Sequence, residues 1–99
     1  MCGIAGIYHF DHTPVHHRQL KAMTDVIAHR GPDGEGQYID KNLGLGHRRL
    51  AIIDLSPAGH QPMQTRDQRY TITYNGEIYN FHALRIELEA RGYQFHSNT

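Results

Sequence analysis

The chain opens Met1-Cys2-Gly3-Ile4-Ala5-Gly6-Ile7-Tyr8, and the reading of this stretch sets the fold. Residues 2–8 predict a short buried strand, with Ile4 and Ile7 set among small residues. Repeated glycines in a strand leave room for another backbone or a ligand to come close. Thr13-Pro14 then predicts a helix start, with Thr as N-cap and Pro at the first helical position. The helix face is Leu20, Met23 and Ile27, flanked by Val26, and Gly31-Pro32 stops it. Residues 33–36 continue as a tight, glycine-rich turn. Residues 37–39 and 43–46 read as a hairpin around Asp40-Lys41-Asn42. The apolar phase then slips, because Leu43 and Leu45 share odd parity while Leu50 and Ile52 share even parity. A slip of one residue turns side chains to the other face, so a bulge or bend is expected between Gly46 and Arg49.

Further along, residues 56–59 are a loop by composition. Residues 70–74 predict a strand that ends at the turn pair Asn75-Gly76. A second helix is expected from an Asn80 cap through Phe81, Leu84 and Leu88 to Gly92. Glu87 and Arg91 form an i, i+4 pair on it with the favourable polarity. Residues 93–95 begin another strand. Strands alternating with two helices favour an α+β or layered α/β domain over all-α or all-β.

The numbers bound the function. Ninety-nine residues allow one domain at most. Ten Lys and Arg balance ten Asp and Glu, so the chain carries no basic nucleic-acid footprint. A single Cys cannot form an internal disulfide. No apolar run approaches a membrane span, and no apolar targeting segment stands at the N-terminus. The expectation is a cytoplasmic chain with neither nucleic acid nor membrane as partner.

The lone Cys is at position 2, and that position matters. A thiol must lose its proton to attack, and its unperturbed pKa is about 8.5. Loss of Met1 would give Cys2 a free α-amino group beside its own thiol. That amine has an unperturbed pKa of roughly 7.7 to 8.0, so one residue can be both nucleophile and base, the logic known for N-terminal Thr. Against this, a buried and inert Cys at a strand start is the commoner situation. An acyl-transfer site also needs oxyanion donors. Asn75-Gly76 offers a side-chain amide followed by a backbone N–H that no Cβ shields, although the same pair is also a common hairpin turn. A zwitterionic substrate further needs a cation for its carboxylate. The Arg49 guanidinium can fork onto one, or Arg48 and Arg49 are simply solvated strand residues. Glu77 can take an ammonium, or complement a helix N-terminus.

Four blocks taken together resemble one family. They are residues 1–6; Arg30-Gly31-Pro32-Asp33-Gly34; residues 47–55 with Gly59-His60-Gln61-Pro62-Met63; and Tyr74-Asn75-Gly76-Glu77-Ile78-Tyr79-Asn80. In this order they look like the glutaminase domain of glutamine-hydrolysing asparagine synthetases, class II glutamine amidotransferases of the N-terminal-nucleophile hydrolase type. The resemblance implies an α+β fold that is part of a four-layer αββα sandwich. It implies that Cys2 attacks the glutamine amide while its own amine carries the proton. Asn75 and Gly76 would form the oxyanion hole and Arg49 would hold the carboxylate. Leu50, Ile52 and Ile53 would line the pocket, and Glu77 would help bind the amino end. Arg30 to Gly34 is implied as support near the nucleophile. Glutamate and ammonia would result, the ammonia passing to a synthetase domain that uses ATP and magnesium to amidate aspartate. The family's domain is longer and uses an aspartate just past Thr99, so residues 1–99 are expected to be its N-terminal portion. The partners implied are glutamine and that synthetase domain, with room for a homodimer of the full-length protein; no metal or cofactor is expected within these residues.

Other readings stay open at this point. His9, His12, His16 and His17 cluster in sequence, but no second Cys and no Glu-x-x-His pattern supports zinc; of the histidines, His47 is the one expected near the site. Gly31, Gly34 and Gly36 match neither a dinucleotide fingerprint nor a phosphate loop. A papain-like pairing of Cys2 with a distant His has no local signature. The remaining alternatives are an amidotransferase relative with a different acceptor and a glutamine-binding module without turnover.

Overall fold

The structure is a computed structural model and describes residues 1–52 and 55–97. It is an α+β arrangement. Strands β1 (Gly3–Tyr8), β2 (Gly34–Asp40) and β3 (Leu43–Arg49) form an antiparallel sheet in the order β1-β3-β2. Helix α1 (His17–Val26) packs on one face of it. Strands β4 (Met63–Gln64) and β5 (Thr71–Ile72) form a separate two-stranded ladder, and α2 (Phe81–Ala90) follows.

The strand register fixes which side chains share a face. Gly3 pairs with Arg48 and Ile4 with His47, while Glu35 pairs with Arg48 and Gly36 with His47. One face therefore carries Gly3, Ala5, Ile7, Gly44, Gly46 and Arg48, and this is the face under α1. A Cβ on Gly46 would lie 2.5 Å from Thr24 Cγ2, and one on Gly44 would lie 2.9 Å from Val15 Cγ1. The glycines are thus a groove that lets the helix settle onto the backbone, so Leu20 and Thr24 on α1 are fully buried. Four charges fasten the same contact. Arg48 reaches Asp25 at 2.9 Å and Glu35 at 3.3 Å, and Lys21 reaches Asp25 at 2.6 Å and Glu35 at 3.1 Å.

Several expectations are corrected. The first strand is not buried: it is an edge strand, and Ile4 and Tyr8 are exposed on the face away from α1. The helix begins at His17 rather than at Thr13-Pro14. The Thr13 hydroxyl bonds Asp11 at 2.8 Å, and the Val15 N–H donates to Lys41 O at 2.8 Å, which keeps this segment along the hairpin instead of coiled. The buried helix face keeps Leu20 but swaps Met23 and Val26 for Thr24, because the receiving groove is made of glycines at fixed positions. The pairing of β3 runs unbroken from Leu43 to Arg48 with β1 and from Leu43 to Arg49 with β2, so the expected bulge is replaced by a strand end. The slip in parity has another cause: the helix-side positions of β3 ahead of Arg48 are the glycines Gly44 and Gly46, and Leu50 and Ile52 lie beyond the strand.

The later half is more loosely built. The strand expected over residues 70–74 is reduced to Thr71–Ile72. Helix α2 spans ten residues, all described and none buried. Its Glu87–Arg91 pair forms at 3.0 Å. Residues 93–95 join no strand among the described residues. No helix among the described residues is long and apolar enough to cross a membrane.

Candidate active site

Alternation along β1 and β3 gives the site its floor. Cys2 continues β1 onto the same side as Ile4, and His47 and Arg49 project from β3 onto that side, opposite Arg48. Neither arginine is simply solvated: Arg48 fastens α1, and Arg49 donates from Nη1 to Ser56 O at 2.6 Å. The Arg49 guanidinium lies directly against Gly59, where a Cβ would collide with it.

The Cys2 thiol sits on the Leu50 peptide. Leu50 N–H points to Sγ at 3.3 Å, and Sγ approaches Leu50 O at 3.7 Å. Residues 30–34 brace this corner from behind. Arg30 Nε donates to Cys2 O at 3.3 Å, Asp33 N–H donates to Arg49 O at 3.0 Å, and Asp33 Oδ2 accepts from Ala51 N–H at 2.9 Å. Gly31 is required there, since a Cβ would strike the Arg48 carbonyl. The block read as structural support therefore does hold the backbone on which the thiol rests.

The second wall comes from the other half of the chain. Asn75 and Gly76 follow Tyr74, whose ring stands over Gly76. Cys2, Arg49, Leu50 and Ile52 line one cavity of about 320 Å³ together with Asn75, Gly76 and Glu77. Ile53, also expected there, lies outside the described residues. Glu77 precedes α2 by four residues, and the first turn of α2 holds no acidic residue, so Glu77 is not a helix-dipole partner. Met1 is exposed and lines the cavity beside Cys2.

His47, Gln61 and Tyr74 belong to the same cavity. The sequence points to His47 near the site but singles out neither Gln61 nor Tyr74; both stand inside the ordered motif blocks, which is the available signal. His47 is 1% exposed. Its Nε2 lies 3.2 Å from Tyr74 O, and a carbonyl only accepts, so Nε2 carries the proton. Its Nδ1 finds no partner among the described residues. Burial, above all, holds the His47 imidazole below the ordinary value, with His60 and Arg49 adding repulsion and the Tyr74 carbonyl opposing them. Among the described residues, no three His, Cys, Asp or Glu side chains gather as a metal site.

The small α+β fold is compatible with part of an amidotransferase domain, and comparison with known proteins shows the family. The family model described as "Glutamine amidotransferase domain" matches residues 1–99, and the chain belongs to that family. Within it the chain is 43% identical over 102 residues to glutamine-hydrolysing asparagine synthetase 1 of Bacillus subtilis strain 168, covering all of this chain and 16% of that protein. It is 40% identical over 100 residues to glutamine-hydrolysing asparagine synthetase B of Escherichia coli strain K12, covering all of this chain and 18% of the relative. It is also 40% identical over 100 residues to amidase chry2 of Gibberella zeae, covering 89% of this chain and 15% of that one. The chain thus spans less than a fifth of the length of each of these three relatives.

Proposed function

We propose that this chain is the nucleophile-bearing part of a glutaminase that supplies ammonia to an asparagine synthetase. What supports the reading is the convergence of Cys2, Arg49, Asn75, Gly76 and Glu77, from distant parts of the chain, on one cavity. Removal of Met1 clears the cavity mouth and frees the Cys2 amine. The amine takes the thiol proton, and Sγ attacks the side-chain carbonyl carbon of glutamine. The resulting oxyanion is held by the Asn75 side-chain amide and the Gly76 N–H. The carbon–nitrogen bond then breaks as the α-ammonium returns the proton to the leaving nitrogen, giving ammonia and a thioester. Water adds to the thioester, the carbon–sulfur bond breaks, and glutamate leaves with the thiol restored. Arg49 binds the substrate carboxylate, Leu50, Ile52 and Ile53 shape the pocket, and Glu77 meets the ammonium end.

In this reading the ammonia passes to a synthetase domain outside these residues, and ATP and magnesium act there. The uncovered part of the face away from α1, with Ile4 and Tyr8 exposed, is where the second sheet of an αββα sandwich would pack. A second reading keeps the glutaminase chemistry but changes the acceptor; the similarity to a protein named an amidase favours it.

The test is direct. Intact-mass measurement of the purified protein is expected to show loss of Met1; a retained Met1 excludes the free-amine mechanism for that preparation. In the full-length protein, Cys2→Ala is expected to abolish glutamine-dependent asparagine formation and to spare formation from free ammonia. Glutamine hydrolysis surviving in Cys2→Ala would sink the nucleophile assignment. A full-length protein that turns over glutamine without amidating aspartate would select the second reading.

A further inference from the structure

Strand β5 stops at Ile72, yet the cavity wall is built by Asn75 and Gly76, three and four residues later. The chain between them has no ladder to hold it among the described residues. Side chains hold it instead. The Tyr74 N–H donates to Gln61 Oε1 at 2.7 Å. The Tyr74 carbonyl accepts from His47 Nε2 at 3.2 Å. One residue earlier, the Thr73 hydroxyl donates to Gly46 O at 3.2 Å. Both backbone polar groups of Tyr74, the residue leading into Asn75, are therefore taken by side chains from two other segments.

The two clamp residues are themselves set by the sheet. His47 lies on β3 two residues before Arg49 and is fully enclosed. Gln61 belongs to the segment packed on Gly36 of β2, where a Cβ would strike Gln61 O. The position of Asn75 relative to Cys2 is thus referred back to the sheet that carries Cys2.

We propose that Gln61 and His47 are positioning residues that hold the Tyr74 peptide, and through it the Asn75–Gly76 donors, at the distance from Cys2 that the oxyanion requires. The inference rests on the glutaminase reading given above. It differs from a purely structural role in what it predicts. Donors aimed at a developing oxyanion act in the transition state and not on the bound substrate. Displacing them lowers kcat with little change in KM, whereas losing the carboxylate contact of Arg49 raises KM.

The experiment measures glutamine hydrolysis by the full chain with Met1 removed, alongside the rate of Cys2 alkylation by iodoacetamide. Gln61→Leu leaves the Tyr74 N–H without its acceptor. It is expected to lower kcat about 10- to 100-fold, less than the ~100- to 1000-fold typical of deleting an oxyanion donor outright. KM is expected to stay within about threefold, and alkylation is expected to stay at the wild-type rate. Gln61→Glu keeps an acceptor of the same length and is expected to restore kcat to within about threefold. His47→Gln, which can place an N–H where Nε2 sits, is expected to retain more activity than His47→Leu. Should the buried His47 variants not fold, the Gln61 pair decides alone. The proposal is overturned if Gln61→Leu keeps its kcat, if KM rises in step with the loss, or if alkylation slows equally. Wild-type protein that does not hydrolyse glutamine would instead overturn the glutaminase reading, and this inference with it.

Discussion

The two helices have ten residues each and opposite fates. Helix α1 lies in a groove made by Gly44 and Gly46 of the sheet, buries Leu20 and Thr24 completely, and is pinned by Arg48, Asp25, Glu35 and Lys21. Helix α2 carries Phe81, Leu84, Ile86 and Leu88, yet none of its residues is buried. Its side-chain contacts among the described residues include two i, i+4 ion pairs, the Arg85 guanidinium over the Phe95 ring and an Arg85 Nη1 bond to Ser97 O at 2.7 Å. Exposed pairs of this kind contribute little. Local pattern alone does not decide how well a helix is held; most helical stability comes from burial of a face. The candidate site sits on the seam. Its Cys2 side belongs to the well-packed half, and its Asn75–Gly76 side is held by three side-chain hydrogen bonds.

The comparison can be broken most sharply at the α1 contact. Leu20→Ala is expected to cost about 2–5 kcal/mol, read as a fall in the midpoint of chemical unfolding; a loss below about 1 kcal/mol would mean that the glycine groove is not the core. Gly31→Ala comes next, at about 1–3 kcal/mol, because the added Cβ meets unyielding backbone at Arg48. It should also disturb the Leu50 peptide under the thiol, so Cys2 alkylation kinetics should change alongside stability. An unaltered melting curve would refute the close packing.

A smaller effect concerns acid. Burial keeps the His47 imidazole below its ordinary value in the folded chain. As pH falls below about 6.5 the unfolded chain takes up this proton and the folded chain does not. Stability from this group is therefore level above that pH and declines below it, by at most about 1.4 kcal/mol per pH unit. His47→Gln is expected to flatten the decline between pH 6.5 and 5 in unfolding titrations. An identical slope in both proteins would mean that another group carries it. The least effect is expected in α2: Ile86, 71% exposed, should tolerate Ala within about 0.5 kcal/mol. Amide exchange should likewise be faster in α2 than in α1; equal protection would erase the contrast between the halves.

Much of the site is legible in the sequence because its residues stand in short, ordered blocks. Cys2, Arg49, Asn75, Gly76 and Glu77 are all expected there, and all line one cavity. What is harder to read has physical causes. A β strand's apolar parity fails as a guide in β3 because glycine, with no side chain, marks the buried side. The face of α1 follows from where those glycines lie, so Thr24 displaces Met23 inward. Gln61 acts through a hydrogen bond to a backbone N–H thirteen residues away, and a contact to backbone leaves no trace in the identity of its partner.

By itself the sequence determined the strand and hairpin at the start, the two helices and most of the residues that line the candidate site. It did so because period, turn chemistry and motif order are local properties of a chain. Alternation along one strand even separates Arg48 from Arg49, sending one to the helix and the other to the cavity. Only the tertiary structure decided that residues 59–62 and 73–77 close over the face that bears Cys2, and that side chains rather than a ladder hold them there. Such closure depends on contacts between distant segments, whose energies no local window contains.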